Sequence, residues 1–309
     1  MSLVLLDSLS LPGDPAKVNE DSFAHGDRAA LVMDGATPLG DPLMPGPSDA
    51  AWLAQFGARR MMAHLNDGDA PRTALSHALE DAEKSFNGLS HHPIREKWET
   101  PCASMILVVY HPLQSSLARG PATTTSPTSA LRARGRGGPE QASLELLWFG
   151  DCSALLLHDG ACRIIGDAFD KRGQEADWAR KLAVGRKLQP SADFNRPKIQ
   201  DAQRAARNRI NSGSYWLFSP NPRAASHVAH AGVKAAPGDL LLLASDGFLA
   251  LATDYGAYDA RGLMMVARDK GLAALGQQLR AIENTDALGE KFTRFKKSDD
   301  ATGLLLEIR

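Results

Sequence analysis

Short apolar runs of strand length recur along the chain, at residues 29–33, 104–110, 144–149, 154–157, 240–244 and 303–308. Each is bounded by Gly, Pro, Asp or Asn, and a short continuous run of this kind fits a strand buried on both faces. Residues 216–218 are a further strand candidate. Between the runs the period changes. Residues 49–65 bring Trp52, Leu53, Phe56, Arg60 and His64 to helical spacing, with Ser48 placed to N-cap. Residues 70–86 put Leu75, Leu79, Ala82 and Phe86 on one face, with Pro71 near the start. Further helices are predicted over 175–183, 201–210, 259–269 and 272–283. Two consecutive helices between early strands, and later strands in hairpin order, favour helix-flanked antiparallel sheets over a βαβ alternation.

Composition narrows the class. Hydrophobic residues are 43% and charged residues 23%, which excludes wholesale disorder and a fibrous chain. The 35 basic and 36 acidic side chains nearly cancel, so the chain as a whole is no nucleic-acid binder. Cys102, Cys152 and Cys162 form neither a disulfide framework nor a CxxC pair. The apolar start is interrupted by Asp7 and lacks the basic segment and cleavage site of a signal peptide. No apolar run approaches the ~20 residues that span a bilayer. The expectation is a monomeric cytoplasmic protein without nucleic-acid or membrane partners. One domain is expected over 1–309, interrupted at about 111–142 by a segment rich in Pro, Ser, Thr, Gly and Arg. That segment reads as a mobile insertion between two hairpin strands; the alternative is a basic docking arm of Arg132, Arg134 and Arg136.

The informative chemistry is a repeated placement of acids. Asp34 follows ALVM and precedes Gly35. Asp151 follows LLWFG. Asp246 follows LLLLAS and precedes Gly247. Asp299 and Asp300 stand just before ATGLLLEI, and Glu20 and Asp21 stand ahead of the Asp34 strand. Carboxylates buried together must pair with cations, take up protons or coordinate metal. No Lys or Arg accompanies Asp34, Asp151 or Asp246 locally, and an all-oxygen set favours a hard cation, Mg²⁺ or Mn²⁺.

The ordered motifs NED, DGAT, GDCSALL, SDGF and DDATGLLL resemble those of the metal-dependent protein phosphatases, the type 2C Ser/Thr phosphatase family, in its bacterial, divergent form. The resemblance runs from about Val18 to Ile308. It implies an α+β fold, a four-layer αββα sandwich of two antiparallel sheets flanked by helix pairs. It also implies two divalent cations, Mn²⁺ or Mg²⁺, in a cleft at one edge. By resemblance Asp34 bridges both ions, Asp246 and Asp299 complete the coordination of the first ion, and Glu20 and the Gly35 carbonyl serve the second ion, partly through waters. Asp151 matches the acid that supports a weaker third ion. Asp21 matches an acid that orients the site, and Asp300 stands where the family commonly has Asn. Where DGHG members carry His, this chain has Ala36. The position of the family's phosphate-holding Arg is Ala16, so Lys17, one place on, is the candidate cation, expected to point into the cleft.

The resemblance implies hydrolysis of phosphoserine or phosphothreonine in a phosphoprotein substrate by a water activated between two metal ions. The catalytic candidates are then Asp34, Asp246 and Lys17. Cys152 reads as a buried structural thiol, because no CxxxxxR setting surrounds it. Two alternatives stand beside this reading. One is a phosphatase of a small phosphorylated metabolite, with Arg204, Arg207 or Arg209 facing phosphate. The other is a metal-binding pseudophosphatase that acts as a regulatory module, motivated by Ala36 and Ala16.

Overall fold

The computed structural model describes residues 2–112, 142–169 and 197–309. All but the two ends of the expected 111–142 insertion, and the helix expected over 175–183, lie outside the described residues. In chain order the strands are β1 (Leu3–Leu11), β2 (Asp21–His25), β3 (Ala29–Gly35), β4 (Ala103–His111), β5 (Ala142–Phe149), β6 (Ser153–His158), β7 (Ala161–Ile165), β8 (Ala229–Ala235), β9 (Leu240–Ala244) and β10 (Ala301–Ile308). The helices are α1 (Asp49–Asn66), α2 (Pro71–Leu89), α3 (Pro197–Arg207), α4 (Asp246–Thr253), α5 (Ala260–Lys270) and α6 (Leu272–Thr285). One sheet has the order β1-β10-β9-β6-β7 and the other β2-β3-β4-β5-β8, and every pairing is antiparallel.

Alternation along the central strands builds the layers. In β3, Ala30 and Val32 face the other sheet, while Leu31 and Met33 face α1 and α2. In β9, Leu241 and Leu243 face inward, and Leu240, Leu242 and Ala244 face α4, α5 and α6. Ile106 and Val108 of β4 and Leu304, Leu306 and Ile308 of β10 complete the core between the sheets. Fully burying each such side chain stabilises the fold by about 1.5–3 kcal/mol. Both faces of the central strands are therefore apolar, which is why they read as continuous runs. The result is the expected sandwich: α1 and α2 cover one outer face, and three helices, not a pair, cover the other.

The helices begin where the sequence permits. Ser48 accepts from the Ala51 amide and caps α1, and Pro71 opens α2. Asp7 of β1 accepts from the Leu272 amide at 2.7 Å and so serves the start of α6. Residues 216–218 form only a bridge from Phe218 to Ala103, and the helix expected over 201–210 is α3, which ends at Arg207 before a turn. No helix among the described residues is long and apolar enough to cross a membrane.

Candidate metal centre

The inner faces of the two sheets continue past the apolar core, and there leucine and valine give way to acids and hydroxyls. Ala30, Val32 and Asp34 alternate along one face of β3. Asp21 is the register partner of Asp34, and Ser104 of β4 is its partner on the other side. From the opposite sheet, Ser245 follows β9 and leads directly into α4 at Asp246, while Asp299 and Asp300 lead into β10. The turn that crosses from β5 to β6 of the other sheet supplies Asp151, whose carboxylate accepts from Ser104 Oγ at 2.6 Å. Asp34, Gly35, Asp151, Asp246 and Asp299 all line one cleft of about 600 Å³, together with Thr37, Arg207, Arg209, Tyr215 and Lys296.

Two glycines let these segments approach. A Cβ on Gly35 would lie 2.6 Å from the Ala50 carbonyl oxygen, and one on Gly247 would lie 2.0 Å from that of Asp300. The acids consequently crowd. The Asp34 and Asp246 carboxyls face each other in the cleft and influence each other's ionisation. Burial, and then the charges of Asp21 and Asp246, push Asp34 well above the ordinary carboxylate range. Burial, and then Asp151 and Asp299, push Asp246 up to about 7. Asp21 is raised as well, by burial first, although a hydrogen bond from Ser245 Oγ at 2.8 Å opposes the shift.

Whether metal ions suit this set is decided by its unsatisfied atoms. Asp21 Oδ1 and Asp246 Oδ1 are buried without a hydrogen-bond partner. A buried acceptor facing like charges is stabilised by a cation, and an all-oxygen set matches a hard divalent ion. The residues therefore fit. The donors are spread along the cleft: among the described residues no three of these carboxylates bring ligand atoms within 4.8 Å of one another.

Glu20 is held but does not line the cleft. Its oxygens accept from Thr37 Oγ1 and Ser48 Oγ, each at 2.6 Å, and its carbonyl accepts from the Gly35 amide. Asp300 is committed to the backbone: it accepts from the Gly13 amide at 2.7 Å and the Glu20 amide at 2.5 Å, which keeps it from competing with Asp299.

The cations differ from expectation. Lys17 is exposed in a turn closed by its amide on the Asp14 carbonyl, and it is absent from the cleft lining. The expectation that it points into the cleft is corrected: the turn ends ahead of β2 and carries the side chain to the surface. Lys296 enters the cleft instead. Its ammonium stands 2.7 Å from Asp299 Oδ1 and 3.0 Å from Thr37 Oγ1. Burial opposes its charge, but Asp299, Asp34 and Glu20 outweigh that and raise its pKa. A lysine three residues before Asp299 was the one signal in the sequence. Arg207 and Arg209 line the cleft, and Arg204 and Arg207 are not a solvated face. They donate to the Leu39 and Thr37 carbonyls at 2.7 and 2.9 Å and tie α3 to the loop after Asp34. Cys152 lies in the core between the sheets, where burial pushes its thiol far up and leaves it inert.

No family model matches the chain, and no curated protein matches it by sequence. Solved structures do. The serine/threonine phosphatase PstP/Ppp of Mycobacterium tuberculosis is 16% identical, with 100% of each chain covered and a TM-score of 0.54. The catalytic domain of PstP in complex with two manganese ions is also 16% identical, with 99% of each chain covered and a TM-score of 0.50. The photosystem II phosphatase PBCP is 14% identical, with 99% of each chain covered and a TM-score of 0.53. The fold is thus the sandwich of the type 2C phosphatases.

Proposed function

We propose that this chain is a metal-dependent phosphoric monoester hydrolase acting on phosphoserine and phosphothreonine in proteins. The observation that carries the reading is the meeting of carboxylates from both sheets at one edge, with Asp34, Asp151, Asp246 and Asp299 lining one cleft and a buried Asp246 oxygen unsatisfied. Asp34, Asp246 and Asp299, with Glu20 and the Gly35 carbonyl, would hold two Mn²⁺ or Mg²⁺ ions, and Asp151 a weaker third. When bound, such ions supply Lewis acidity and an activated water nucleophile.

The chain's own residues set the rest. Ser48 and Thr37 fix the Glu20 carboxylate, and Ser104 fixes that of Asp151. Lys296 brings positive charge into an acidic cleft that must accept a phosphate dianion, and it takes the capture role that Lys17 is too exposed to fill. Ala36 cannot donate a proton, so the leaving oxygen is protonated from the open cleft.

A panel of phosphopeptides and phosphorylated metabolites with Mn²⁺, run beside Asp246→Asn, tests this. Turnover of phosphopeptides that Asp246→Asn abolishes supports it. Turnover of small esters alone selects the metabolite phosphatase. One observation favours a regulatory pseudophosphatase: Lys296 already neutralises Asp299. That reading requires Mn²⁺ or phosphoprotein binding with no turnover.

A further inference from the structure

At 1.5 Å per residue, His64 lies about 24 Å along α1 from Ser48 and the cleft. There it faces His77 of α2, with ring centroids 5.2 Å apart in an edge-on arrangement. Asp69, in the turn joining the helices, stands between them. Its Oδ2 is 2.8 Å from His77 Nδ1 and 3.6 Å from His64 Nδ1. Among the described residues this is the one group of three His, Cys, Asp or Glu side chains whose ligand atoms all lie within 4.8 Å of one another. A tetrahedral ion with bonds of about 2.0–2.1 Å needs ligand atoms about 3.3 Å apart, and the observed separations straddle that value.

The histidine tautomer is arranged for the same end. His64 Nε2 lies 2.8 Å from Asp81 Oδ2. Arg60 Nη2 also lies 3.3 Å from this Nε2; in the tautomer that donates from Nε2 to the Asp81 carboxylate, Nδ1 presents its lone pair toward Asp69 and His77. The 3.6 Å between His64 Nδ1 and Asp69 is beyond hydrogen-bond reach, so no hydrogen bond occupies the lone pair there. Arg60 Nε donates to the same Asp81 oxygen at 2.6 Å. Burial opposes ionisation of Asp81, but the bonds from His64 and Arg60 outweigh it and hold its carboxyl below the usual value. A carboxylate behind a histidine is the common support of a metal-bound imidazole.

We infer that His64 Nδ1, Asp69 Oδ2 and His77 Nδ1 form a binding site for one divalent ion of the zinc class, separate from the acidic cleft. Two imidazoles and one carboxylate suit zinc better than magnesium or manganese, and the half-exposed His77 gives the ion a way in. Three protein ligands leave one position for water. The ion would clasp the end of α1 to α2 and hold the helix whose other end carries Ser48. Binding at His77 Nδ1 displaces the proton that this atom donates to Asp69, which passes to the ring's other nitrogen.

The test uses the full chain with Zn²⁺ alone, by calorimetry and thermal melting, in wild type, His77→Ala, Asp69→Asn and Asp246→Asn. Co²⁺ serves as a coloured probe of tetrahedral coordination. Wild type and Asp246→Asn should each hold this zinc equivalent and melt higher with it. His77→Ala and Asp69→Asn should bind it at least tenfold more weakly, gain no stability from it and lose the cobalt bands. Zinc binding as tight in His77→Ala as in wild type, zinc uptake lost in Asp246→Asn but kept in His77→Ala, or no zinc uptake at all, would overturn the site.

Discussion

The Lys296 ammonium lies 2.7 Å from Asp299 Oδ1, so a cation of the chain itself stands on one of the carboxylates proposed to hold metal. Lysine and divalent ion compete for that oxygen, while the same positive charge favours an incoming phosphate. Lys296→Gln should therefore bind Mn²⁺ severalfold more tightly in calorimetry and show a KM for phosphate esters raised about tenfold, which is about 1.4 kcal/mol of lost contact. Unchanged KM with unchanged Mn²⁺ affinity would remove Lys296 from the site.

The crowded acids make stability depend on pH in a defined direction. Asp246 is pushed up to about 7 by burial and its acidic neighbours, so the fold binds its proton more tightly than the unfolded chain does. That contribution is fully present below the unfolded value of about 3.9 and is lost as pH rises through about 7. With divalent ions chelated, the Tm of wild type should fall from about pH 5 to pH 8 relative to that of Asp246→Asn. A difference that grows in favour of wild type over that window would contradict the burial of these carboxyls.

Asp299 and Asp300 are neighbours with separate tasks. Asp300 ties the Gly13 and Glu20 amides to the start of β10. Asp300→Ala should cost about 1–3 kcal/mol in denaturant unfolding, because two part-buried amide donors lose a charged acceptor. Asp299→Asn should leave stability nearly unchanged and weaken Mn²⁺ binding. The reverse pattern would exchange the two roles.

The sequence showed the interior of both sheets and little of their margins. All six apolar runs correspond to β3, β4, β5, β6, β9 and β10, the strands flanked on both sides. The strands not predicted are β1, β2, β7 and β8, the four edges. An edge strand is covered less, and its pattern breaks where a polar residue has a local task, as Asp7 does in reaching the start of α6. Helix α4 was hidden because it is buried on nearly every side and shows no polar stripe. Asp34, Asp151, Asp246 and Asp299 were legible because each stands at the end or just before the start of an interior strand, whereas Glu20 and Asp21 open the edge strand β2. Lys296 and the exposed Lys17 were not, because sequence distance from a motif does not say which way a loop carries a side chain.

Close backbone approach gives a further test. Gly247→Ala would drive a Cβ to 2.0 Å from the Asp300 carbonyl, where only backbone movement can relieve the clash. It should cost more than about 2 kcal/mol and weaken Mn²⁺ binding, since α4 carries Asp246. Stability equal to wild type would show that α4 does not pack this closely on the entry to β10.

The most direct measurement is the rate of hydrolysis of a generic aryl phosphate by wild type and Asp246→Asn, with Mn²⁺ and with chelator. The account predicts turnover by wild type that requires Mn²⁺ and disappears in a folded Asp246→Asn. Turnover that survives chelation or the Asp246 substitution, or none from wild type with Mn²⁺ at any pH, would contradict it.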